Sequence, residues 1–363
     1  MKRMRICYLG NINSVHLGNI AAFFSREGHQ VSVVTFASGE LDGIEIYAWP
    51  GRKLMSRRTA YLTGIPWLKH KIAEINPDIV HAVYLSSYGF LGALSGFHPL
   101  VISAIGSDIL ITPNKNKFFG DIVKYTIQKC DLIHAQGVHL IDKLTALGAI
   151  PSKIVAFSYG VDFNVISEIK KADRIKREDF SIISTRHLEP KYDVETLVYA
   201  VQLVFKKIPS IRVKIFGEGS ERKGLQNLVT RLNLDSSVSF SGSQSQMEVI
   251  KNLLGAQIYV STSHSDGSSL SLMEAMACGA FPVVSNIAAN QELINHGDNG
   301  FLFAPGSFRE AAEFIIEALQ NPSLCRQAAI INYEKARQMG DMQRNLSGLQ
   351  EVYNKLVESD INR

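Results

Sequence analysis

The sequence predicts an α/β protein made of two doubly wound domains, each built on a parallel sheet. Short β-branched apolar runs alternate with amphipathic helical segments along most of the chain, which is the pattern of strand–helix–strand crossovers. The length of 363 residues exceeds that of one typical domain and suits two. A charged stretch over residues 170–179 interrupts the alternation. We therefore predict domains at residues 1–165 and 166–341.

The first domain is predicted from five apolar runs with helical segments between them. A helix follows the first run, because apolar residues recur at helical spacing from Leu17 to Phe24 and Gly28 then supplies a C-terminal glycine. The predicted strands are Arg5–Leu9, Val31–Phe36, Ile79–Val83, Leu100–Ala104 and Asp131–Ala135.

The second domain repeats this alternation and is followed by a last helix. Amphipathic segments from Leu197 to Phe205 and from Leu225 to Leu232 predict helices between its strands. A final helix over residues 342–363 has an apolar face that must be buried, and we expect it to return to the first domain. The predicted strands are Ser181–Thr185, Arg212–Phe216, Val238–Phe240, Gln257–Ser261 and Phe281–Ser285.

Composition excludes several classes of protein. The four cysteines are far apart and have neither metal-binding nor redox spacing, so a reduced cytoplasmic protein without a metal site is expected. No apolar run is long enough to be a signal peptide or to span a membrane. We expect a cytoplasmic protein, with the inner face of the membrane as an alternative location.

The net charge of +4 is concentrated in the first domain. Residues 1–165 contain 16 Lys and Arg against 11 Asp and Glu. This excess is either a solvated surface or a surface that meets anionic lipid or a charged acceptor. Nucleic acid is not expected as a partner, because the excess is small and no binding motif is present. The basic cluster consists of Arg52, Lys53, Arg57, Arg58, Lys69 and Lys71.

Loops that follow the strands of the second domain carry candidate ligand-binding residues. Open α/β sheets bind ligands at the carboxyl ends of their strands. Arg186 and Lys191 follow the first strand of this domain and could together bind a diphosphate. Gly217 follows the next strand, and Gly242 and Ser243 follow the third. Exposed backbone at these turns could approach a ligand.

A fourth loop carries two carboxylates eight positions apart, Asp266 and Glu274. The loop follows an apolar run and opens a helix, whose free N–H groups and positive dipole end favour an anion. Because a carboxylate would repel phosphate, Asp266 and Glu274 are expected to bind hydroxyls. This combination predicts a ligand with both phosphate and sugar hydroxyls, such as a nucleotide-sugar. The small residues of the loop are Gly267, Ser268 and Ser269, followed by Leu270.

These motifs resemble those of family 4 retaining glycosyltransferases with the GT-B fold. The segment from Asp266 to Gly279 is similar to the family's pattern of Glu, seven residues, Glu and Ala-Met-Ala-x-Gly. Thr185–Lys191 resembles the family's Gly-Arg-Leu…Lys-Gly loop. Shorter resemblances lie at Gly28–Val31, Pro77–Ala82 and Tyr159–Asp162. The resemblance implies two Rossmann-like domains that face each other across a cleft.

The resemblance also implies roles for the residues that match. Glu274 would bind the ribose hydroxyls, and Arg186 and Lys191 would stabilise the departing diphosphate. Asp266 would hold hydroxyls of the donor sugar, and the backbone from Gly267 to Leu270 would contact the sugar or the diphosphate. The chain departs from the family pattern at four places. Asp266 replaces a longer Glu, and Tyr192 replaces the Gly after Lys191. Asn11–Ser14 stands in place of a Gly-Gly loop, and Val83 stands in place of the second histidine of a His-x-His.

Three residues of the first domain are further candidates, each with an ordinary structural alternative. His81 lies within an apolar run and could be catalytic or a hydrogen-bonded core histidine. Asp108 follows a strand and could bind substrate or cap a helix. His16 stands at a helix start and could bind substrate or face solvent.

The predicted function is transfer of a sugar from a nucleotide-sugar, UDP- or GDP-linked, to an acceptor hydroxyl with retention of anomeric configuration. The acceptor is expected to be a saccharide or a lipid-linked molecule, as in polysaccharide or glycolipid assembly. No cofactor or metal is expected. A nucleotide-sugar epimerase and a non-catalytic nucleotide-sugar-binding subunit are the alternatives. A dehydrogenase is disfavoured, because no Gly-x-Gly-x-x-Gly follows the first strand.

Overall fold

The computed structural model describes residues 3–51, 63–173 and 175–361, with side chains up to residue 359. The chain divides into two compact units. Unit 1 comprises Met1–Tyr159 and Gln343–Arg363, and unit 2 comprises Gly160–Met342. The sequence predicted the first change of domain a few residues later, after residue 165.

Seven parallel strands form one sheet in the part of unit 1 that the structure describes, in the order β3-β2-β1-β4-β5-β6-β7. Most are apolar on both sides because helices cover both faces of the sheet. The strands are β1 (Arg5–Leu9), β2 (Gln30–Thr35), β3 (Glu45–Ala48), β4 (Ile79–Val83), β5 (Leu100–Ala104), β6 (Leu132–Ala135) and β7 (Ile154–Ala156). Among the described residues before residue 160, the α-helices are α1 (Val15–Arg26), α2 (Ile65–Ile75), α3 (Phe90–Ser95), α4 (Ser107–Leu110), α5 (Lys117–Lys129) and α6 (Leu140–Ala146).

Unit 2 has a sheet of six parallel strands among its described residues, in the order β10-β9-β8-β11-β12-β13. The strands are β8 (Ser181–Ser184), β9 (Arg212–Phe216), β10 (Val238–Gly242), β11 (Ile258–Ser261), β12 (Phe281–Ser285) and β13 (Phe301–Phe303). The helices are α7 (Phe163–Ala172), α8 (Val194–Lys207), α9 (Arg222–Arg231), α10 (Gln246–Gly255), α11 (Leu270–Cys278), α12 (Ala288–Gln291), α13 (Phe308–Gln320) and α14 (Pro322–Gly340).

The last helix, α15 (Met342–Ile361), packs on unit 1. Tyr353 is fully buried, and its ring stacks on that of Phe24 with centroids 5.1 Å apart. Asn345 donates a hydrogen bond to the carbonyl oxygen of Ser158 at 2.9 Å. The predictions of two parallel sheets and of a helix that returns to the first domain are therefore confirmed.

Three strands were not predicted, and each is short. Glu45–Ala48 lies at the edge of its sheet with its side chains partly or fully exposed, so no apolar run marks it. Ile154–Ala156 and Phe301–Phe303 each contain three residues and are also edge strands. Three residues are too few for a periodic pattern to be recognised in sequence.

Candidate functional site

The predicted donor-site residues of unit 2 gather where its strand order reverses. The chain proceeds from β8 outward to β9 and β10, and then returns to β11 on the other side of β8. Ligands of open α/β sheets bind at such a point, beyond the carboxyl ends of the strands. The loop that follows β8 carries Arg186 and Lys191, and the loop that follows β11 carries Asp266.

Arg186 is buried and held by three side chains. Its Nη2 donates to Asp266 Oδ2 at 2.6 Å, and its Nη1 donates to Ser271 Oγ at 2.6 Å. The guanidinium carbon lies 4.4 Å from the ring centroid of Tyr192. Burial lowers the pKa of Arg186, but Asp266 and the nearby Tyr259 and Tyr192 together raise it by more. The guanidinium is therefore a fixed positive charge in this loop.

Lys191 lies in a short 3₁₀ turn, Pro190–Tyr192, beside the same aromatic ring. Its Nζ is 4.6 Å from the ring centroid of Tyr192. The turn is tied to the loop after β11, because the N–H of His264 donates to the carbonyl oxygen of Lys191 at 2.9 Å. The two predicted cations are thus brought together at the ring of Tyr192, within the loop that follows β8.

Asp266 accepts hydrogen bonds from other residues of the protein, apart from any contact with a ligand. One carboxylate oxygen accepts from Arg186, and the other accepts from the N–H of Gly267 at 2.9 Å. The N–H of Leu270 donates to the carbonyl oxygen of Ser268 at 3.0 Å. Two of the backbone donors that were expected to meet the ligand are therefore occupied in this structure.

Ser269 differs from its neighbours in this loop. It immediately precedes α11 and is 1% exposed. Its hydroxyl is buried without a hydrogen-bond partner among the described residues. Because a buried polar group without a partner is costly, this hydroxyl is a candidate contact for a bound ligand.

Glu274 lies one turn inside α11 rather than at the start of the helix. The side chain is buried, and its Oε1 accepts a hydrogen bond from Gln246 Nε2 at 3.4 Å. Burial raises the pKa of Glu274 to about 7. A buried carboxyl group with a raised pKa and a single weak internal contact can exchange that contact for stronger hydrogen bonds from ligand hydroxyls.

The predicted glycines allow neighbouring loops to approach each other. Gly217 has a φ of +118°, and a Cβ atom there would overlap the carbonyl oxygen of Arg186. The N–H of Gly217 donates to the carbonyl oxygen of Gly242 at 2.8 Å. Ser243 is exposed beside them. Gly217 therefore packs closely against the backbone of Arg186, and Gly242 packs against Gly217. Glycine allows this close approach because it has no side chain.

His81 belongs to a buried polar network of unit 1. Its Nδ1 hydrogen-bonds the Tyr353 hydroxyl and its Nε2 lies 2.7 Å from Ser103 Oγ. Ser103 also contacts His134 Nδ1 at 3.0 Å and the Tyr159 hydroxyl. Burial, reinforced by His134, lowers the pKa of His81 far below its usual range. His81 is 0% exposed, so the structure favours the core-histidine interpretation over a catalytic one.

Asp108 is also an interior residue. It is fully buried and its carboxylate accepts hydrogen bonds from the N–H groups of Leu85 at 2.9 Å and Gly106 at 2.8 Å. These bonds fix the loop after β5, so Asp108 has the structural role that the sequence left open. His16 is half-buried in the first turn of α1, with its ring centroid 6.0 Å from that of Tyr159.

Three residues that contact the predicted site residues were not predicted from the sequence. Ser271 bridges Arg186 and the Tyr259 hydroxyl, the latter at 2.9 Å. Gln246 contacts Glu274, and Tyr192 lies against both cations. The position of Tyr192 directly after Lys191 was the available signal for it.

Only part of the predicted basic cluster lies within the residues that the structure describes. Arg52, Lys53, Arg57 and Arg58 lie outside them. Lys71, which is described, pairs with Glu74. No helix in the described ranges is both long and apolar enough to cross a membrane. The same residues include no group of three His, Cys, Asp or Glu side chains that could hold a metal ion.

Two family models match this chain, one in each half. The model described as "Glycosyl transferase 4-like" matches residues 5–137. The model described as "Glycosyl transferases group 1" matches residues 165–337, which include the strand ends and the loops of the candidate site.

Two of the known proteins with related sequences are named as glycosyltransferases. One relative is the GtfA subunit of the UDP-N-acetylglucosamine–peptide N-acetylglucosaminyltransferase of Streptococcus parasanguinis. The two sequences are 26% identical over 200 residues, and the match covers 53% of this chain and 38% of the relative. The chain thus spans less than half of that subunit. It is 29% identical over 336 residues to an uncharacterized glycosyltransferase of Haemophilus influenzae, covering 89% and 90% of the two chains.

A solved structure has the same fold. HepE from Anabaena, crystallised with UDP and glucose, superposes with a TM-score of 0.80 at 20% identity, covering 98% of this chain and 100% of HepE. Together, the fold and the two family models identify the chain, which belongs to the family 4 glycosyltransferases with the GT-B fold.

Proposed function

We propose that the protein transfers a sugar from a UDP-sugar to an acceptor hydroxyl, with retention of anomeric configuration. In the reaction, the bond between the anomeric carbon and the diphosphate oxygen breaks, and a bond to the acceptor oxygen forms. The proton of the hydroxyl is released with the nucleoside diphosphate. The observation that carries the proposal is the convergence of Arg186, Lys191 and Glu274 on loops and a helix at the switch point of the unit 2 sheet.

Each side chain of this set suits one part of a nucleotide-sugar. Arg186 and Lys191 supply positive charge for the diphosphate, and this charge stabilises the leaving group as the glycosidic bond breaks. Glu274 accepts hydrogen bonds from the ribose hydroxyls. Asp266 accepts from hydroxyls of the donor sugar while it remains paired with Arg186. The buried hydroxyl of Ser269 contacts the diphosphate or the sugar.

The relatives support uridine as the base. HepE was crystallised with UDP and glucose, and the streptococcal GtfA subunit is named for a UDP-N-acetylglucosamine-dependent transferase. We propose UDP-linked donors first, with GDP-linked donors as the comparison. The acceptor is proposed to be a saccharide or a lipid-linked molecule that binds unit 1, in polysaccharide or glycolipid assembly.

The test is a ligand panel followed by an activity assay. UDP, GDP and their sugars are added to the protein, and a ligand that binds only the folded state raises its melting temperature. UDP is expected to give the largest rise, and Glu274→Ala is expected to abolish it. Transfer to an acceptor panel should continue in excess EDTA, since we propose a metal-independent reaction. The anomeric configuration of the product is read by NMR. No rise with any nucleotide would disprove the proposal.

The same panel separates the two alternatives. An epimerase converts a nucleotide-sugar without any acceptor, so a new nucleotide-sugar in an acceptor-free incubation would favour it. A non-catalytic subunit would bind UDP-sugars tightly and yet leave every acceptor unmodified. Release of UDP that requires an acceptor is the result we expect.

A further inference from the structure

We propose that Tyr192 is a positioning residue that holds Arg186 and Lys191 together for the donor diphosphate. This inference rests on the proposed function, because it concerns the same donor site. The guanidinium carbon of Arg186 lies 4.4 Å from the Tyr192 ring centroid, and Nζ of Lys191 lies 4.6 Å from it. Both distances are within the range of attractive cation–π contacts.

The Tyr192 ring offsets the repulsion between the positive charges of Arg186 and Lys191. Two positive charges close together repel each other, most strongly in a partly buried environment where the dielectric constant is low. Asp266 balances the charge of Arg186, whereas Lys191 forms no ion pair with another described residue in this structure. The negative face of an aromatic ring attracts both cations without neutralising either of them. Both charges therefore remain available to phosphate oxygens.

The backbone fixes the position of the ring. The N–H of Tyr192 donates to the carbonyl oxygen of Glu189 at 2.9 Å, and its carbonyl oxygen accepts from Thr262 Oγ1 at 2.9 Å. The next residue, Asp193, adopts a left-handed conformation with φ of 45° and caps α8. The ring also packs against the hydrophobic core of unit 2. Tyr192 can therefore orient the two cations before the donor binds.

The experiment compares variants at position 192 in the full-length protein. Tyr192→Leu keeps apolar packing but loses the aromatic face, and Tyr192→Phe keeps the face. By calorimetry we expect Tyr192→Leu to bind UDP roughly tenfold more weakly and Tyr192→Phe to bind like the wild type. Binding of uridine, which has no phosphate, should be unchanged in both. In the transfer assay, kcat should fall in Tyr192→Leu and be restored in Tyr192→Phe.

A matched control uses another tyrosine of unit 2 that faces a cation. Lys170 Nζ lies 5.3 Å from the ring centroid of Tyr333, so Tyr333→Leu also removes a cation–π contact. We expect Tyr333→Leu to bind UDP like the wild type. Equal losses of UDP affinity in Tyr333→Leu and Tyr192→Leu would overturn the inference, as would equal losses of UDP and uridine in Tyr192→Leu.

A second series remains informative if Tyr192→Leu does not fold. Fluorinated phenylalanines incorporated at position 192 weaken the negative face of the ring stepwise and barely change its shape. We expect the UDP dissociation constant to rise with each added fluorine. A constant value across the series would overturn the role of Tyr192 while leaving the proposed function intact. Failure of the wild-type protein to bind any nucleotide would instead disprove the proposed function, and this inference with it.

Discussion

The guanidinium of Arg186 and the carboxylate of Asp266 form an ion pair in the interior of unit 2, with Nη2 and Oδ2 2.6 Å apart. The two side chains are only 8% and 15% exposed. The residue proposed to bind phosphate and the residue proposed to bind sugar are therefore coupled before any ligand arrives. A change to either one alters the electrostatic environment of the other.

Removal of one member of this pair is expected to destabilise unit 2. Asp266→Ala leaves a buried positive charge without its partner, and such changes cost about 3–5 kcal/mol. Urea denaturation followed by circular dichroism should therefore show an earlier transition. Both tryptophans, Trp49 and Trp67, belong to unit 1. Their fluorescence transition should be unchanged, and a stability equal to that of the wild type in both signals would refute the buried pair.

Catalysis is expected to require the planar fork of Arg186 and not merely its charge. Arg186→Lys keeps one positive charge but cannot bind Asp266, Ser271 and a phosphate in the same geometry. We expect kcat/KM for the donor to fall roughly 100-fold. Arg212→Lys is the control, because Arg212 is exposed on β9. Similar kcat/KM values for Arg186→Lys and the control would contradict this role.

Glu274 is expected to make unit 2 less stable as the pH rises. Burial raises the pKa of its carboxyl group from the ordinary value of 4.5 to about 7 in the folded protein. Between these values the unfolded chain releases a proton that the folded protein retains. The free energy of unfolding therefore falls with rising pH, by up to about 3 kcal/mol in all.

Glu274→Gln should remove this pH dependence. The measurement is the urea midpoint by circular dichroism at pH values from 4.5 to 8. Glu313→Gln is the control, because Glu313 is exposed on α13. The midpoint of the control should still fall with pH. A wild-type midpoint that falls with pH no more steeply than that of Glu274→Gln would show that Glu274 is ionised in the folded protein.

His134 is expected to make unit 1 less stable as the pH falls. Burial lowers its pKa from 6.5 to about 4. Between these values the unfolded chain binds a proton that the folded protein excludes, so the free energy of unfolding falls with decreasing pH, by up to about 3 kcal/mol. Tryptophan fluorescence should report this loss in urea titrations from pH 7 to pH 4.

His134→Gln should reduce the slope of stability against pH, whatever its effect on stability at neutral pH. His70→Gln is the matched control, because the His70 side chain is 79% exposed. If both variants keep the wild-type slope, acid destabilisation of unit 1 must come from other groups. The buried His81 would be the next residue to change.

The sequence predicted most of the fold because most strands are continuous apolar runs. Covered on both faces by helices, such strands need no polar residues, and Ile79–Val83 and Phe281–Ser285 were predicted with their observed bounds. The edge strand Glu45–Ala48 was missed because it is partly exposed. The locations of Arg186, Lys191 and Asp266 at strand ends also followed from the motif pattern.

The contacts within the site could not be predicted in the same way. Arg186 and Asp266 are 80 positions apart, and no local pattern indicates that they pair. His81 lies inside β4 and Asp108 follows β5, and both are fully buried. Their burial depends on residues that are distant in the sequence, which for His81 include Tyr353 of the last helix. Sequence position alone could not distinguish these cases.

The hydrogen bond between Tyr353 and His81 joins residues 272 positions apart, and this separation has a consequence for synthesis of the protein. All of unit 2 is translated between the two parts of unit 1. Unit 2 is continuous and can fold while the chain is still being made, but the core of unit 1 lacks α15 until residues 343–361 leave the ribosome. During that interval the surface that receives Tyr353 is open, so unit 1 is the part of the nascent chain that most needs protection from aggregation.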